Sequence, residues 1–202
     1  MNVDNIFFRK AEHKDRDQIA GVLLDFYNME NAEEAVRTFE TELNKDYHYI
    51  VAMENEKIIG LVTWVMHGLP KHGLFELDRI CLLSRSRGKG VGKKLIDVLI
   101  DDARTWYESN GAVIRKLYLL THEDNTNAHI FYEKVGFIHE TTLKGHYYEN
   151  KDHEAGEFLR EQRNKWREID FEGVGKYFQE KKDSFNIVSC PKNISQAMVT
   201  SE

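Results

Sequence analysis

A glycine-rich turn is the part of this sequence best suited to binding a ligand. Residues Arg87–Gly92 read RGKGVG and stand where a β-rich run passes into a run with helical spacing. Alternating glycines remove side chains from the approach, so backbone N–H groups and the positive end of a helix dipole can face a phosphate or pyrophosphate. Arg87, Lys89, Lys93 and Lys94 add positive charge. The turn predicts a site for one small anion, and the alternative is a turn with a solvated basic rim.

Two nucleotide-binding motifs can be excluded at this turn. A P-loop needs GxxxxGK[ST], but Arg87 stands five positions before Gly92, and Lys93 is followed by Lys94. A dinucleotide fingerprint needs GxGxxG, and the two frames fail at Lys93 and at Leu95. The sequence therefore supports neither an ATPase nor a nicotinamide enzyme.

A pair of carboxylates lies shortly before the turn. Glu76 and Asp78 are two residues apart in the β-rich run LFELDRICLL, so their side chains share one face of a strand. Carboxylates so placed can accept a proton from a substrate or attract a cation. The alternative is that both are structural.

The elements that must position these groups follow from hydrophobic spacing. Strands are predicted at residues 6–11, 47–53, 57–68, 74–83, 113–121 and 137–149, with a further piece near 155–159. Helices are predicted after Asp15 as N-cap and at residues 32–45, 92–111 and 125–136. Their expected inward residues are Ile19, Val22, Leu23 and Phe26 in the first helix and Val91, Leu95, Val98, Leu99, Ala103 and Trp106 in the third. The order predicts an α/β chain that mixes antiparallel and parallel strand pairs.

Two motifs together carry a family resemblance. The turn fits [RQ]xxGx[GA], and residues 125–137 (NTNAHIFYEKVGF) fit N-x-x-A-x-x-x-Y-x-K-x-G-F. With the order of elements, the chain resembles the GNAT superfamily of N-acetyltransferases over roughly Ile6 to Leu159. The resemblance implies a mixed, mostly antiparallel central sheet flanked by helices. It implies a domain over residues 1–159, followed at 160–202 by an extension that is helical and then polar.

The resemblance also implies acetyl-CoA as co-substrate. The backbone amides of Gly88, Lys89, Gly90, Val91 and Gly92 would hold the pyrophosphate, with Arg87 closing the turn. The strand segment Ile80, Cys81 and Leu82 would pair with the pantetheine arm, and one of its N–H groups would polarise the thioester carbonyl. Asn125 would touch the cofactor arm from the opposite side.

Three residues are candidates for the chemistry that the resemblance implies. Tyr132 occupies the position of the tyrosine that protonates the departing thiolate, and its alternative is a packed tyrosine with a solvated hydroxyl. Glu76 is the candidate base that deprotonates the amine, with Asp78 as second candidate or orienting group. A chain of water molecules is the alternative base.

Charge favours a cationic acceptor. The chain carries 28 Lys+Arg and 34 Asp+Glu, a net charge of −6, which argues against a nucleic-acid surface. The resemblance implies an acceptor side that includes Asp25, Tyr27, Glu30, Glu33 and Glu34, with His146, Tyr147 and Tyr148 opposite. The alternative for these acidic residues is a solvated helix face. A small amine is therefore the expected acceptor. A protein N-terminus or lysine, and a non-catalytic acyl-CoA-binding module, are the alternatives.

The cysteines, the histidines and the apolar runs of the sequence predict no metal site, no disulfide and no membrane span. Cys81 and Cys190 form no metal or disulfide pattern, the nine histidines form no HxxxH or HExxH pair, and no apolar run is long enough for a membrane span. We expect a cytoplasmic protein with no metal and no membrane partner. A homodimer through the Trp166 segment is left open, and the last stretch, from Ser184, is expected to be polar and partly disordered.

Overall fold

The structure is a computed structural model, and it describes residues 5–26, 29–122, 124–144 and 184–189. The described residues fall into two compact units. One contains the residues up to Leu119 together with Ser189, and the other contains those from Leu120 to Val188. The predicted strand near 155–159 and the predicted domain boundary at 159/160 lie outside the described residues.

The first unit is built on a mixed sheet. Its strands are β1 (Phe7–Lys10), β2 (His48–Glu54), β3 (Lys57–Met66), β4 (Leu74–Leu82) and the start of β5 (Lys116–His122), in that spatial order. The pairs β1–β2, β2–β3 and β3–β4 are antiparallel, and β4–β5 is parallel. The predicted fold class is confirmed.

Helices cover both faces of this sheet. Helices α1 (Arg16–Phe26) and α2 (Ala32–Leu43) pack on one face, where Ile19, Leu23 and Phe39 are fully buried. Helix α3 (Val91–Ser109) packs on the other face, against β2, β3 and β4. Each helix buries one apolar stripe, as expected for an amphipathic surface helix.

The second unit contains the end of β5, helix α4 (Thr126–Lys134), and the neighbouring strands β6 (Ile138–Lys144) and β7 (Ser184–Ser189). Helix α4 stops before Gly136, whose φ of 95° suits glycine. Strand β7 occupies the first residues of the stretch that was expected to be polar and partly disordered, and it was not predicted from the sequence. Its pairing is with residues distant in sequence, which local composition does not reveal.

A β-bulge interrupts the middle of β4. Thr63 of β3 lies opposite Arg79, whereas Trp64 lies opposite Leu77, so Asp78 is an extra residue without a direct partner. Because of this extra residue, Phe75 and Leu77 face α3, whereas Cys81 packs in the core beneath α1 and α2. The bulge was not predicted from the sequence.

An aromatic cluster joins α3 to the sheet. The His48 ring stacks on Trp64 at 3.8 Å between centroids, and the Trp64 indole N–H donates to Asp102 at 3.0 Å. Lys10 of β1 pairs with the same carboxylate at 2.8 Å. Burial lowers the pKa of His48, although Asp102 opposes this effect.

Three details of the helices differ from the sequence predictions. Asp15 lies in a short 3-10 turn, and its carboxylate accepts two bonds from Arg9, at 2.7 and 2.8 Å, so it does not cap α1. A bidentate guanidinium is a stronger partner than a first-turn amide. Phe26 is 37% exposed rather than buried, and Tyr107, which was not predicted as inward, is fully buried in α3.

Candidate active site

Glu76 is the candidate base, and it lies half-buried on β4. Its Oε2 is 2.7 Å from Nε2 of His67, and the hydroxyl of Tyr118 on β5 donates a hydrogen bond to the same carboxylate. Burial raises the pKa of Glu76, Asp78 raises it further, and His67 and Tyr118 oppose this. Burial and the neighbouring Glu76 raise the pKa of Tyr118 to about 12. A carboxylate whose pKa is raised is a stronger base than an exposed one.

Asp78, the extra residue of the bulge, is held by two neighbours. Its Oδ2 accepts a hydrogen bond from the Thr63 hydroxyl at 3.0 Å and pairs with Nε of Arg79 at 2.8 Å. Asp78 is close enough to Glu76 to raise its pKa, as expected for two carboxylates on one face of β4. The structure therefore brings the two predicted carboxylates together.

Arg79 connects the bulge to helix α2. Its guanidinium donates to Oε1 of Glu42 at 2.7 Å and to the Tyr49 hydroxyl at 3.4 Å, and Tyr49 in turn donates to Glu42. Burial disfavours the charge on Arg79, but Asp78, Tyr49 and Glu42 together raise its pKa. This network fixes α2 against the strand that carries the candidate base.

Tyr47, which precedes β2, faces the same group of charges. Burial raises the pKa of its phenol, and Asp78, Glu42 and Glu76 raise it further, while Arg79 lowers it. Three carboxylates and one guanidinium therefore lie near one partly buried phenol. The surplus of negative charge at this surface suits a cationic ligand.

The segment Ile80–Leu82 follows the bulge. These residues pair with Val62, Leu61 and Gly60 of β3. The parallel register with β5 runs from Leu74 to Glu76, and past Glu76 the described part of β4 has no further partner in β5. The Cys81 side chain is buried, and burial raises the pKa of its thiol to about 12.

The glycine turn has the backbone shape that its glycines predict. Gly88 and Gly90 have φ values of 73° and 83°, the left-handed region that side chains disfavour. The Lys94 amide donates to the Gly90 carbonyl, and the amides of α3 that precede it cannot bond within the helix. Arg87 donates from Nε to the Leu82 carbonyl at 2.9 Å, which ties the turn to the end of β4.

Asn125 and Tyr132 both lie in the second unit. The Asn125 side-chain oxygen accepts a bond from the Ala128 amide at 3.2 Å and so caps α4. Tyr132 is 8% exposed, and its ring lies 5.6 Å from that of Phe137. Their roles toward a cofactor stay predictions.

The predicted acidic acceptor wall is mostly occupied by local contacts. Asp25 accepts hydrogen bonds from Ser84 and lies 3.5 Å from Arg87. Glu34 accepts the Glu30 amide at 2.6 Å, and Glu33 pairs with Arg37 along α2. Tyr27 and residues 146–148 lie outside the described residues.

Sequence reasoning missed the partners of the candidate base. The residues that contact Glu76, His67 and Tyr118, sit in no motif. Neither do Glu42, Tyr49 and Arg79, which join the bulge in β4 to α2. For Tyr49, Arg79 and Tyr118 the available signal was polarity within an otherwise apolar strand.

Two absences concern the described residues alone. Within them, no group of three or more His, Cys, Asp or Glu side chains could hold a metal ion. A helix both long and apolar enough to cross a membrane is likewise not found in the part of the chain that the structure describes.

Sequence comparison finds relatives among acetyltransferases. The profile of the family described as "Acetyltransferase (GNAT) family" matches residues 16–137. The chain is 28% identical over 130 residues to a spermine/spermidine N(1)-acetyltransferase of Bacillus subtilis (strain 168), and the alignment covers 60% of this chain and 82% of that protein.

Solved structures are similar in fold. A GNAT-family protein from Desulfovibrio desulfuricans has a TM-score of 0.65 at 19% identity, covering 91% of this chain and 97% of its own. Spermidine/spermine N-acetyltransferase SpeG from Vibrio cholerae, in complex with manganese ions, has a TM-score of 0.60 at 18% identity and 92% coverage of both chains. Ribosomal-protein-alanine N-acetyltransferase from Brucella melitensis has a TM-score of 0.61 at 15% identity, covering 91% and 98%. At these identities the likeness concerns the fold alone.

Proposed function

The chain belongs to the GNAT family of acetyltransferases, and from that premise we propose that it transfers acetyl from acetyl-CoA to a primary amine of a small, multiply cationic molecule of the polyamine class. The observation that carries the proposal is the half-buried Glu76, 2.7 Å from His67 and beside Asp78. Together with Glu42, these two carboxylates act on the phenol of Tyr47, which shows a local surplus of negative charge. The name of the Bacillus subtilis relative supports the same class of acceptor.

The residues of the glycine turn fit a bound acetyl-CoA. Left-handed Gly88 and Gly90 leave room for close approach of a diphosphate, and the amides of Val91 and Gly92 precede the first bond of α3. Lys89 provides a backbone amide within the same turn, and Arg87 holds the turn to Leu82. The co-substrate supplies the acetyl group as a thioester, which is activated toward attack by an amine.

Two residues of the chain then transfer protons: Glu76 deprotonates the acceptor, and Tyr132 protonates the leaving group. Glu76 takes a proton from the acceptor ammonium, so that the amine nitrogen has a free electron pair to form the new bond to the acetyl carbon. A backbone N–H of the segment Ile80–Leu82 polarises the carbonyl oxygen as the bond to sulfur breaks. Tyr132 gives its proton to the departing thiolate. The nitrogen then loses its second proton to solvent water, and solvent returns a proton to Tyr132, so that one proton is released in the whole reaction. Asp78 attracts and orients the cationic acceptor, and Asn125 contacts the cofactor arm.

An acceptor panel tests this function. The full chain is incubated with acetyl-CoA and with polyamines, aminoglycosides, amino acids or peptides, and release of free thiol is measured. We expect the highest kcat/KM with polyamines. Turnover of peptides alone would favour a protein acetyltransferase, and cofactor binding without turnover of any amine would contradict the enzymatic proposal.

Glu76→Gln tests the base. The amide cannot accept the proton, so we expect kcat to fall by about 10²–10⁴-fold, most strongly at low pH, where the unassisted amine is protonated. Asp78→Asn is the matched variant, and we expect a mainly KM effect from the weaker attraction of the cation. A pH–rate profile unchanged in Glu76→Gln would rule out Glu76 as the base.

A further inference from the structure

His67 and Tyr118 both contact Glu76, the carboxylate that accepts a proton in the proposed function. His67 follows the end of β3, and its amide donates to the Leu74 carbonyl at 3.0 Å, which fixes the backbone beside β4. Tyr118 lies directly opposite Glu76 in the parallel register of β4 and β5. Two separate elements therefore place a polar side chain against Glu76. Nε2 of His67 is buried and lies 2.7 Å from Oε2 without the alignment of a hydrogen bond, whereas Tyr118 donates its hydroxyl.

His67 and Tyr118 are arranged around a group whose charge is disfavoured by burial. The Glu76 side chain is 17% exposed, whereas that of His67 is 44% exposed. Among the described residues, Asp78 on the same strand and the phenol of Tyr47 also interact electrostatically with Glu76. Asp78 disfavours a charge on Glu76 because both groups are carboxylates, and the interaction with Tyr47 is electrostatic, without a hydrogen bond. The contacts that stabilise the charge are those with His67 and Tyr118.

We propose that His67 and Tyr118 are positioning residues that hold Glu76 as a carboxylate, in one orientation, ready to take the proton of the acceptor. The inference rests on the proposed function, in which Glu76 is the base. An imidazole that carries hydrogen on Nε2 places the positive end of an N–H bond 2.7 Å from Oε2 of Glu76, which favours the carboxylate even without a linear hydrogen bond. A phenol donates its hydroxyl proton. Hydrogen bonds to the charged form of an acid favour that form.

The role of His67 has a specific chemical signature. Replacement by leucine removes the N–H group, and we expect the pKa of Glu76 to rise by about one unit, since a close polar contact with a charged group has roughly that strength. Glutamine keeps an amide donor that does not titrate, so His67→Gln should retain most of the wild-type value. Tyr118→Phe removes the second donor and should also raise the pKa of Glu76.

The experiment combines a direct titration with kinetics. The Glu76 carboxyl carbon is titrated by ¹³C NMR in the full chain without ligand, and the signal is assigned by its loss in Glu76→Gln. His67→Leu, His67→Gln and Tyr118→Phe are compared with wild type, and His13→Leu is the control because His13 is exposed on a distant turn. The acid limb of kcat/KM is then measured with the best amine of the panel.

The two readouts separate the two proposals. A Glu76 pKa that rises in His67→Leu but not in His67→Gln or His13→Leu supports the positioning role, and a matching shift of the acid limb links it to catalysis. A pKa that stays constant in His67→Leu, or rises equally in both His67 variants, overturns it. Absence of amine turnover in the wild-type chain overturns the proposed function alone, because the titration still reports on His67.

Discussion

Cys81 shows how its surroundings decide what a residue can do. It lies on the strand proposed to face the cofactor, where an accessible thiolate would be able to take up the acetyl group covalently. The thiolate is the reactive form of cysteine, and burial raises the pKa of this thiol to about 12. The environment therefore favours a small apolar residue over a nucleophile.

Alkylation tests this view of Cys81. Iodoacetamide at pH 8 is expected to leave Cys81 essentially unlabelled in the folded chain, because access is blocked and few thiolates are present. The same reagent in denaturant should label it fully, which serves as the control. The labelled fraction is measured by peptide mass spectrometry, and fast labelling of the native chain would show that the thiol is accessible.

At the scale of single residues, the sequence predicted the two carboxylates of the candidate site but not the residues that contact them. Glu76 and Asp78 could be placed on one face because side chains alternate along a strand. Their contacts with His67, Tyr118, Thr63 and Arg79 depend on strand register and on the bulge. A single sequence carries no direct signal for either, so these residues could be recognised only in the structure.

At the scale of elements, the turn before α3 is the feature that the sequence specified best. Its glycines were expected to open the approach to the backbone amides, and Gly88 and Gly90 adopt left-handed backbone angles that residues with a side chain disfavour. The boundaries of most strands and helices were also close, because their apolar spacing is regular. Strand β7 and the bulge in β4 were missed, since both arise from pairing between distant segments.

Gly90→Glu tests the turn as a phosphate site. The added side chain brings bulk and negative charge to the expected pyrophosphate position, and we expect affinity for CoA to fall at least about tenfold. Affinity is measured by isothermal titration calorimetry.

Gly111→Glu is the matched control for the turn. Gly111 lies just past the other end of α3 and also has a left-handed φ, of 68°, so both variants carry similar backbone strain of about 1–2 kcal/mol. The control should bind CoA like the wild type. Equal affinity of Gly90→Glu and wild type would contradict the assignment of the turn.

At the scale of the whole molecule, the cluster around Asp102 joins β1, β2, β3 and α3. His48 is largely buried in it and has a lowered pKa. Below about pH 6.5, the ordinary histidine value, the unfolded chain therefore binds a proton more readily than the folded chain. Stability contributed by neutral His48 is present at higher pH and declines as the pH falls through that value toward the lower folded pKa.

His48→Phe makes this link measurable. Phenylalanine can keep the stack on Trp64 but does not titrate, so we expect the free energy of unfolding to fall less between pH 7 and pH 5, by about 1 kcal/mol. Urea unfolding at the two pH values, followed by tryptophan fluorescence, gives the difference. His13→Gln should retain the wild-type pH dependence, and an undiminished fall in His48→Phe would contradict the prediction.

The bulge at Asp78 has a consequence for exchanging segments between related enzymes. The count of residues on either side of Asp78 sets which sheet face each later side chain of β4 reaches. A graft of this strand from a relative that lacks the additional residue would straighten the pairing with β3. The side chains before or after the splice would then project into the opposite helical layer, charged groups among them. Chimeras should therefore be joined by matching the bulge rather than by matching sequence identity alone.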